Sequence, residues 1–135
     1  MCEIMVKNKP YIISIDIYQH DILVFFGNKE LLINELEKYL EPDQIEEFDT
    51  CVQKGRGHTY MFDTGQLVLY MPNVPKRIDD FVTLNHEIFH CTILILKRIG
   101  VSLSDDSEEA YAYLYEYITK MIYSKTAKFS SSSSR

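Results

Sequence analysis

The chain has 135 residues, of which 46% are hydrophobic and 25% are charged. This length is typical of one domain, and the composition is that of a globular protein, not of a collagen-like, coiled-coil or disordered chain. Twenty acidic residues against fourteen basic ones give a net charge of −6, and the basic residues are scattered, which argues against a nucleic-acid partner. The stretch of residues 91–96, which is apolar except for Thr92, is too short to cross a membrane.

Two further features concern the cellular compartment. The first residues contain no basic segment followed by a long apolar stretch, so no signal peptide is predicted. Three widely spaced cysteines, Cys2, Cys51 and Cys91, suggest neither a disulfide framework nor a cysteine zinc knuckle. Both observations predict a protein of the reducing cytoplasm.

The first half of the chain predicts a strand pair followed by two helices. Residues 11–17 and 21–26 are rich in β-branched and aromatic residues and are separated by a short polar break. Leucines at helical spacing then predict an amphipathic helix that begins after Asn28 and ends before Pro42. The polar residues 43–52 predict a short second helix.

The second half predicts two strands and two longer helices. Residues 58–62 and 66–71 form strand candidates joined by a tight turn. Residues 79–99 are apolar nearly all round the helix, which predicts a buried helix. Ser107 is the predicted N-cap of a last helix that ends near Tyr123. The sequence thus predicts one α+β domain over residues 1–124 and a disordered serine-rich tail over residues 125–135.

The buried helix contains the motif H-E-x-x-H at residues 86–90. Side chains four residues apart on a helix differ by only about 40°, so His86 and His90 project from one face and can share a metal ion. Glu87 lies about 100° to the side, where it can take a proton from a water molecule at the metal without being a ligand. The spacing therefore predicts two zinc ligands and one general base.

The alternative is a pair of ordinary core histidines with hydrogen-bond partners. Two imidazoles and a carboxylate on a helix that is apolar nearly all round would each cost a few kcal/mol if left unpaired. A metal ion removes that cost, so the zinc site is the preferred interpretation.

Catalytic zinc usually has three protein ligands, and the third must come from another segment. The motif resembles that of the zincin metallopeptidases of the glutamate-ligand type, in which an early glutamate of the next helix, often in a Glu-Ala step, is the third ligand. Glu109 and Ala110 match that step, nineteen residues after His90, so the resemblance implies Glu109 as the ligand. Helical phase favours Glu108, which lies closer to the apolar face, and either acid could instead serve only the helix dipole.

Residues 83–117 look like part of the small zincin-like proteins encoded in bacteriophage genomes. This resemblance implies a minimal zincin-like fold, in which a small, mostly antiparallel sheet packs on an H-E-x-x-H helix and a C-terminal glutamate helix. It implies Zn²⁺ as cofactor, and either a peptide or protein substrate or other phage proteins as partners. The chain departs from the pattern at Tyr113, where many such enzymes carry an aspartate, and it has no later histidine as oxyanion donor. Tyr113 shares a face with Glu109, so its hydroxyl could bond a ligand imidazole or a substrate oxyanion, although packing is the preferred interpretation. His58 is a further candidate for the oxyanion donor.

Two functions follow as hypotheses. The first is a zinc-dependent metallopeptidase that hydrolyses peptide bonds with a water molecule activated by Glu87, the substrate lying extended along the strand of residues 66–71. The alternative is a catalytically inactive zincin-fold phage protein with a structural or interaction role and a structural zinc. Glu87 favours the enzyme, because a structural site needs no carboxylate at that position.

Overall fold

The protein is described here by a computed structural model covering residues 9–53 and 55–126. Within these ranges the elements are β1 (Tyr11–Ile15), β2 (His20–Phe26), α1 (Lys29–Leu36), α2 (Pro42–Cys51), β3 (His58–Met61), β4 (Leu67–Met71), α3 (Ile78–Arg98) and α4 (Glu108–Lys125). A 3-10 turn at Asp16–Tyr18 joins the first two strands. The α+β class predicted from the sequence is confirmed, and each predicted strand and helix has a counterpart.

The four strands form one mixed sheet in the order β1-β2-β4-β3. The central strands β2 and β4 are parallel, while β1 and β3 pair antiparallel with them at the two edges. Two of the three pairings are thus antiparallel, as the small sheet of the sequence prediction requires. The parallel pair is possible because α1, α2 and β3 cross between β2 and β4.

One sequence prediction about this sheet is wrong. The strand of residues 66–71 was expected to offer an exposed edge, but β4 pairs with β2 on one side and with β3 on the other. All five of its residues are buried. The prediction chose this strand because it leads directly into the helix of the motif, but chain order does not determine which strand lies at the sheet edge, and β2 pairs with β4 over a long sequence separation. The edge on that side is β3.

Both faces of the sheet are covered by helices. Along β2 the side chains alternate, so that Ile22 and Val24 pack towards α3 and α4 whereas Phe25 packs towards α1 and α2. The core against α3 and α4 also contains Leu84, Ile88, Ile95, Leu114, Ile118 and Ile122. The core on the other face also contains Leu32, Leu36, Phe48, Phe62, Val68 and Tyr70. The result is a three-layer arrangement with the sheet in the middle.

Several helix ends differ from the sequence prediction. α1 begins after Asn28, whose side chain accepts a 2.7 Å hydrogen bond from Glu30 N, but it ends at Leu36 and not just before Pro42. The chain needs those residues to turn, because Pro42 is itself the first residue of α2. Ser107 precedes α4 as predicted, yet its hydroxyl donates to Ser102 O at 2.5 Å and does not cap the helix.

The C-terminal boundary also shifts. α4 continues through Lys125, and the buried Thr126 donates to Ile122 O at 3.0 Å, so these two residues belong to the folded part and not to the predicted tail. Residues 127–135 of that tail lie outside the described residues, as does Cys2. No helix in the described part of the chain has the length and apolar character needed to cross a membrane.

A lysine joins the two helices on the outer face of the sheet. Lys29 Nζ lies 2.8 Å from the Asp49 carboxylate and donates to the carbonyls of Val52, at 2.7 Å, and Asp49, at 3.2 Å. The Lys29 side chain is 10% exposed. Its ammonium therefore satisfies carbonyls at the C-terminal end of α2 and neutralises the adjacent acid.

We expect Lys29→Met to lower the free energy of unfolding by about 1 to 2 kcal/mol, because it leaves these carbonyls without a donor. The matched control is Lys38→Met, which removes only an exposed pair with Glu35 and should cost about 0 to 0.5 kcal/mol. Urea denaturation of the three proteins measures both effects. Equal midpoints for the two variants would contradict a stabilising role for Lys29.

Candidate metal site and cleft

The H-E-x-x-H motif occupies the middle of α3, where its two histidines approach each other. His86 and His90 lie one turn apart on the face of α3 that points away from the sheet. Their Nε2 atoms are 3.2 Å apart, and the ring planes meet at 78°. The predicted pairing of these two side chains on one helix face is thus present in the structure.

The distance between the two nitrogens fits a shared zinc ion. Two nitrogen atoms that each lie 2.0–2.1 Å from one tetrahedral zinc are about 3.3 Å apart. The same 3.2 Å separation also suits a hydrogen bond in which one imidazole donates to the other. The pair therefore fits two positions of a zinc coordination sphere and is also satisfied without a metal.

The expectation that these imidazoles are buried is wrong. Both His86 and His90 are exposed, and only Glu87 of the three motif residues is buried, at 7% exposure. The prediction assumed that every face of α3 is buried because apolar residues occur nearly all round it. Two of those residues, Val82 and Phe89, are in fact exposed, at 64% and 47%. The argument from the desolvation of buried histidines therefore does not apply, and the case for a metal depends on geometry.

Glu87 occupies the boundary between α3 and the edge strand β3. Its Oε1 accepts a 2.6 Å hydrogen bond from the hydroxyl of Thr59, which also lies 3.1 Å from the Glu87 carbonyl oxygen. Its Oε2 accepts no hydrogen bond from the described residues, yet it is not a solvent-inaccessible atom. The carboxylate thus has one oxygen held by the protein and the other open to water.

A cleft of about 430 Å³ begins at His86 and Glu87. Its other walls are the loop of residues 55–57, the end of β4 and the first turns of α3. Gly57 lets this loop come close, since a Cβ there would lie 2.9 Å from Met71 Sδ and 3.1 Å from Thr83 Cγ2. Glu87 and His86, one imidazole of the pair, therefore line a space large enough for a segment of substrate.

The first turn of α3 at this cleft is held by Asp80. Its Oδ2 accepts hydrogen bonds from the backbone N–H groups of Lys76, at 3.0 Å, and Arg77, at 3.1 Å. These two bonds hold the pKa of the Asp80 carboxyl below its usual range. Asp80 thus caps the helix that carries the motif and places a negative charge in its first turn.

The predicted third ligand is not beside the histidines. Glu108 and Glu109 are both exposed in the first turn of α4, and the described residues contain no group of three His, Cys, Asp or Glu side chains that could hold a metal. α4 runs antiparallel to α3, with Tyr115 against Phe89 and Tyr123 against Phe81. Glu109 therefore lies six residues, or about 9 Å along the axis, beyond the Tyr115 contact, towards the C-terminal end of α3.

Three other residues considered from the sequence lie away from the motif. Tyr113 is 66% exposed and lines a separate groove with Ile17 and Tyr117, so it does not contact the histidine pair. His58 precedes Thr59 in β3, and strand alternation turns it to the opposite face of the sheet from Glu87. Cys91 is fully buried, and burial raises the pKa of its thiol, which agrees with a small core residue and not a thiolate ligand.

Thr59 is the residue in contact with Glu87 that the sequence interpretation missed. The available signal was strand alternation: in β3, Thr59 and Met61 share a face, and Met61 packs in the core beneath α3. A polar residue on that face needs a partner from α3. What the sequence did not supply is the position of β3 beside Glu87, which depends on the order of strands in the sheet.

Comparison with models of protein families, with curated proteins and with solved structures found no match for this chain. The functional interpretation therefore depends on the chemistry of the chain's own residues.

Proposed function

We propose that the protein is a zinc-dependent metallopeptidase. The observation that carries this proposal is the pair of Nε2 atoms of His86 and His90, 3.2 Å apart, with His86 and Glu87 both lining one cleft. Two imidazoles one helical turn apart with a glutamate beside them are the residue types that zinc hydrolysis needs. Their place at a cleft supports a substrate more than a purely structural ion.

His86 and His90 would hold the zinc ion through Nε2. The third ligand we propose is Glu109, on the resemblance of its Glu-Ala step to that of the glutamate-ligand zincins. Zinc bound there supplies Lewis acidity, which polarises a carbonyl and lowers the pKa of a water molecule to about 7.

Glu87 performs the proton transfers. Glu87 lines the cleft, so its carboxylate can accept the proton of the attacking water and then deliver it to the nitrogen of the leaving amine. The hydrogen bond from Thr59 holds this carboxylate in place, so the transfer needs little reorganisation of the group. The bond that breaks is the amide C–N bond, and the products are a carboxylic acid and an amine.

The substrate we propose is an extended peptide that lies along β3. This strand forms the sheet edge beside α3, and no other strand of the described residues pairs with its outer side. Thr59 in this strand contacts Glu87, so a peptide that pairs with β3 has its backbone next to the carboxylate. We propose a cytoplasmic setting from the cysteine pattern, and, by the resemblance, a phage context.

We expect the purified protein to bind about one zinc ion per chain, and His86→Ala and His90→Ala to lose it, because each removes one nitrogen of the converging pair. His20→Ala is the matched control, since His20 lies at the start of β2 and hydrogen-bonds only to its neighbour Asp21. Metal analysis after dialysis against trace zinc gives the stoichiometry. Similar zinc content in all four proteins would rule out this site.

The third ligand can be assigned by two adjacent variants. Glu109→Gln should weaken zinc affinity about tenfold or more, because the neutral amide is a poor zinc ligand, while Glu108→Gln should not. Competition with a chromophoric chelator measures both affinities. Weaker binding by Glu108→Gln alone would transfer the role to Glu108.

We expect Glu87→Gln to retain zinc and fold but to lose turnover, because the amide keeps the shape of the side chain and cannot accept a proton. Digestion of a peptide library by the zinc-loaded wild type and by this variant is the measurement. Equal cleavage by both would reveal a contaminating protease. No cleavage by the wild type across a broad library would favour the alternative of a catalytically inactive zincin-fold phage protein.

A further inference from the structure

The hydroxyl of Thr59 is the donor to the Glu87 carboxylate in the described part of the chain. The contact to Oε1 is 2.6 Å, while that to the Glu87 carbonyl oxygen is 3.1 Å. A hydroxyl carries one proton, and a charged carboxylate is the stronger acceptor. The proton of Thr59 therefore goes to Oε1, since the carbonyl oxygen also lies within the hydrogen-bonded ladder of α3.

Burial makes this single hydrogen bond important. Glu87 is 7% exposed, and a carboxylate withdrawn from water needs a donor. Among the described residues, the Thr59 hydroxyl supplies that donor.

We propose that Thr59 is the positioning residue of the general base: its hydroxyl holds Oε1 of Glu87 against β3 so that Oε2 faces the cleft. A carboxylate can otherwise rotate about its last torsion, which is broad for glutamate. With Oε1 held, Oε2 stays available to the cleft that Glu87 lines, where a water molecule must lie. This inference rests on the proposed function, although the hydrogen bond itself can be tested without it.

The kinetic test compares three threonine variants of the zinc-loaded protein. Thr59→Val keeps the side-chain shape and removes the donor, so kcat should fall about tenfold or more while KM stays within about twofold. Thr59→Ser keeps a hydroxyl and should restore most of kcat. Thr92→Val is the matched control, because the Thr92 hydroxyl also bonds a carbonyl of α3, at 3.0 Å to Ile88 O, and makes no hydrogen bond to Glu87 among the described residues. Equal kcat for Thr59→Val and Thr92→Val would overturn the proposal.

A second measurement needs neither zinc nor activity. In the metal-free protein, Thr59→Val should lower the urea midpoint of unfolding, because it leaves the Glu87 carboxylate buried without a donor. In a Glu87→Met background the same change should have little effect, since both partners are then apolar. An equal shift in both backgrounds would overturn the hydrogen bond, and with it the positioning role. If the wild type cleaves nothing, the proposed function fails, while this cycle still decides whether Thr59 holds Glu87.

Discussion

The parallel pairing of β2 with β4 is the constraint on which the other parts of the fold depend. Every residue of β4 is buried, and β2 directs apolar side chains to both faces, so neither side of the pair can remain in water. Helices must therefore cover both faces, and the crossover from β2 to β4 supplies α1 and α2 for one of them. The other face falls to α3 and α4, which follow β4 in the chain. The helix that carries the motif, α3, therefore packs on this side of the sheet because of the strand pairing, independently of the residues of the motif.

The packing of α3 on this face determines the environment of each motif residue. Leu84 and Ile88 face the sheet and are fully buried, so the histidines, about half a turn away, face solvent. Glu87 lies between these two directions and meets β3, the edge strand next to β4. The residue before Glu87, His86, is exposed to water, and the residue after it, Ile88, is fully buried. A carboxylate that is held on one oxygen and open on the other follows from this intermediate position, with Thr59 supplying the hold.

The sequence predicted local structure well and long-range structure less well. The strands and helices were found because their apolar spacing and turn residues are local signals, as at Asn28, where the predicted N-cap bond is present. Exposed apolar residues such as Val82 made α3 look buried all round, since periodicity cannot tell a tolerated surface valine from a core one. The order of strands could not be predicted from the sequence, because β2 pairs with β4, a strand that follows it only after two helices and another strand. The contact of Thr59 with Glu87 depends on that order, so it was missed for the same reason.

The position of α4 follows from its contacts with α3. Asn85 donates to Tyr115 Oη at 2.7 Å and accepts a hydrogen bond from the Tyr123 hydroxyl, which fixes the register of α4 along α3. Glu109 is nine residues before the buried Ile118, and this spacing directs it away from the core, the same outward direction as the histidine pair. Glu109 is also six residues, or about 9 Å along the helix axis, beyond the contact of Tyr115 with Phe89. Sliding the whole of α4 would break both bonds of Asn85, so an approach of Glu109 that keeps them is confined to the first turn of α4 and the loop before it.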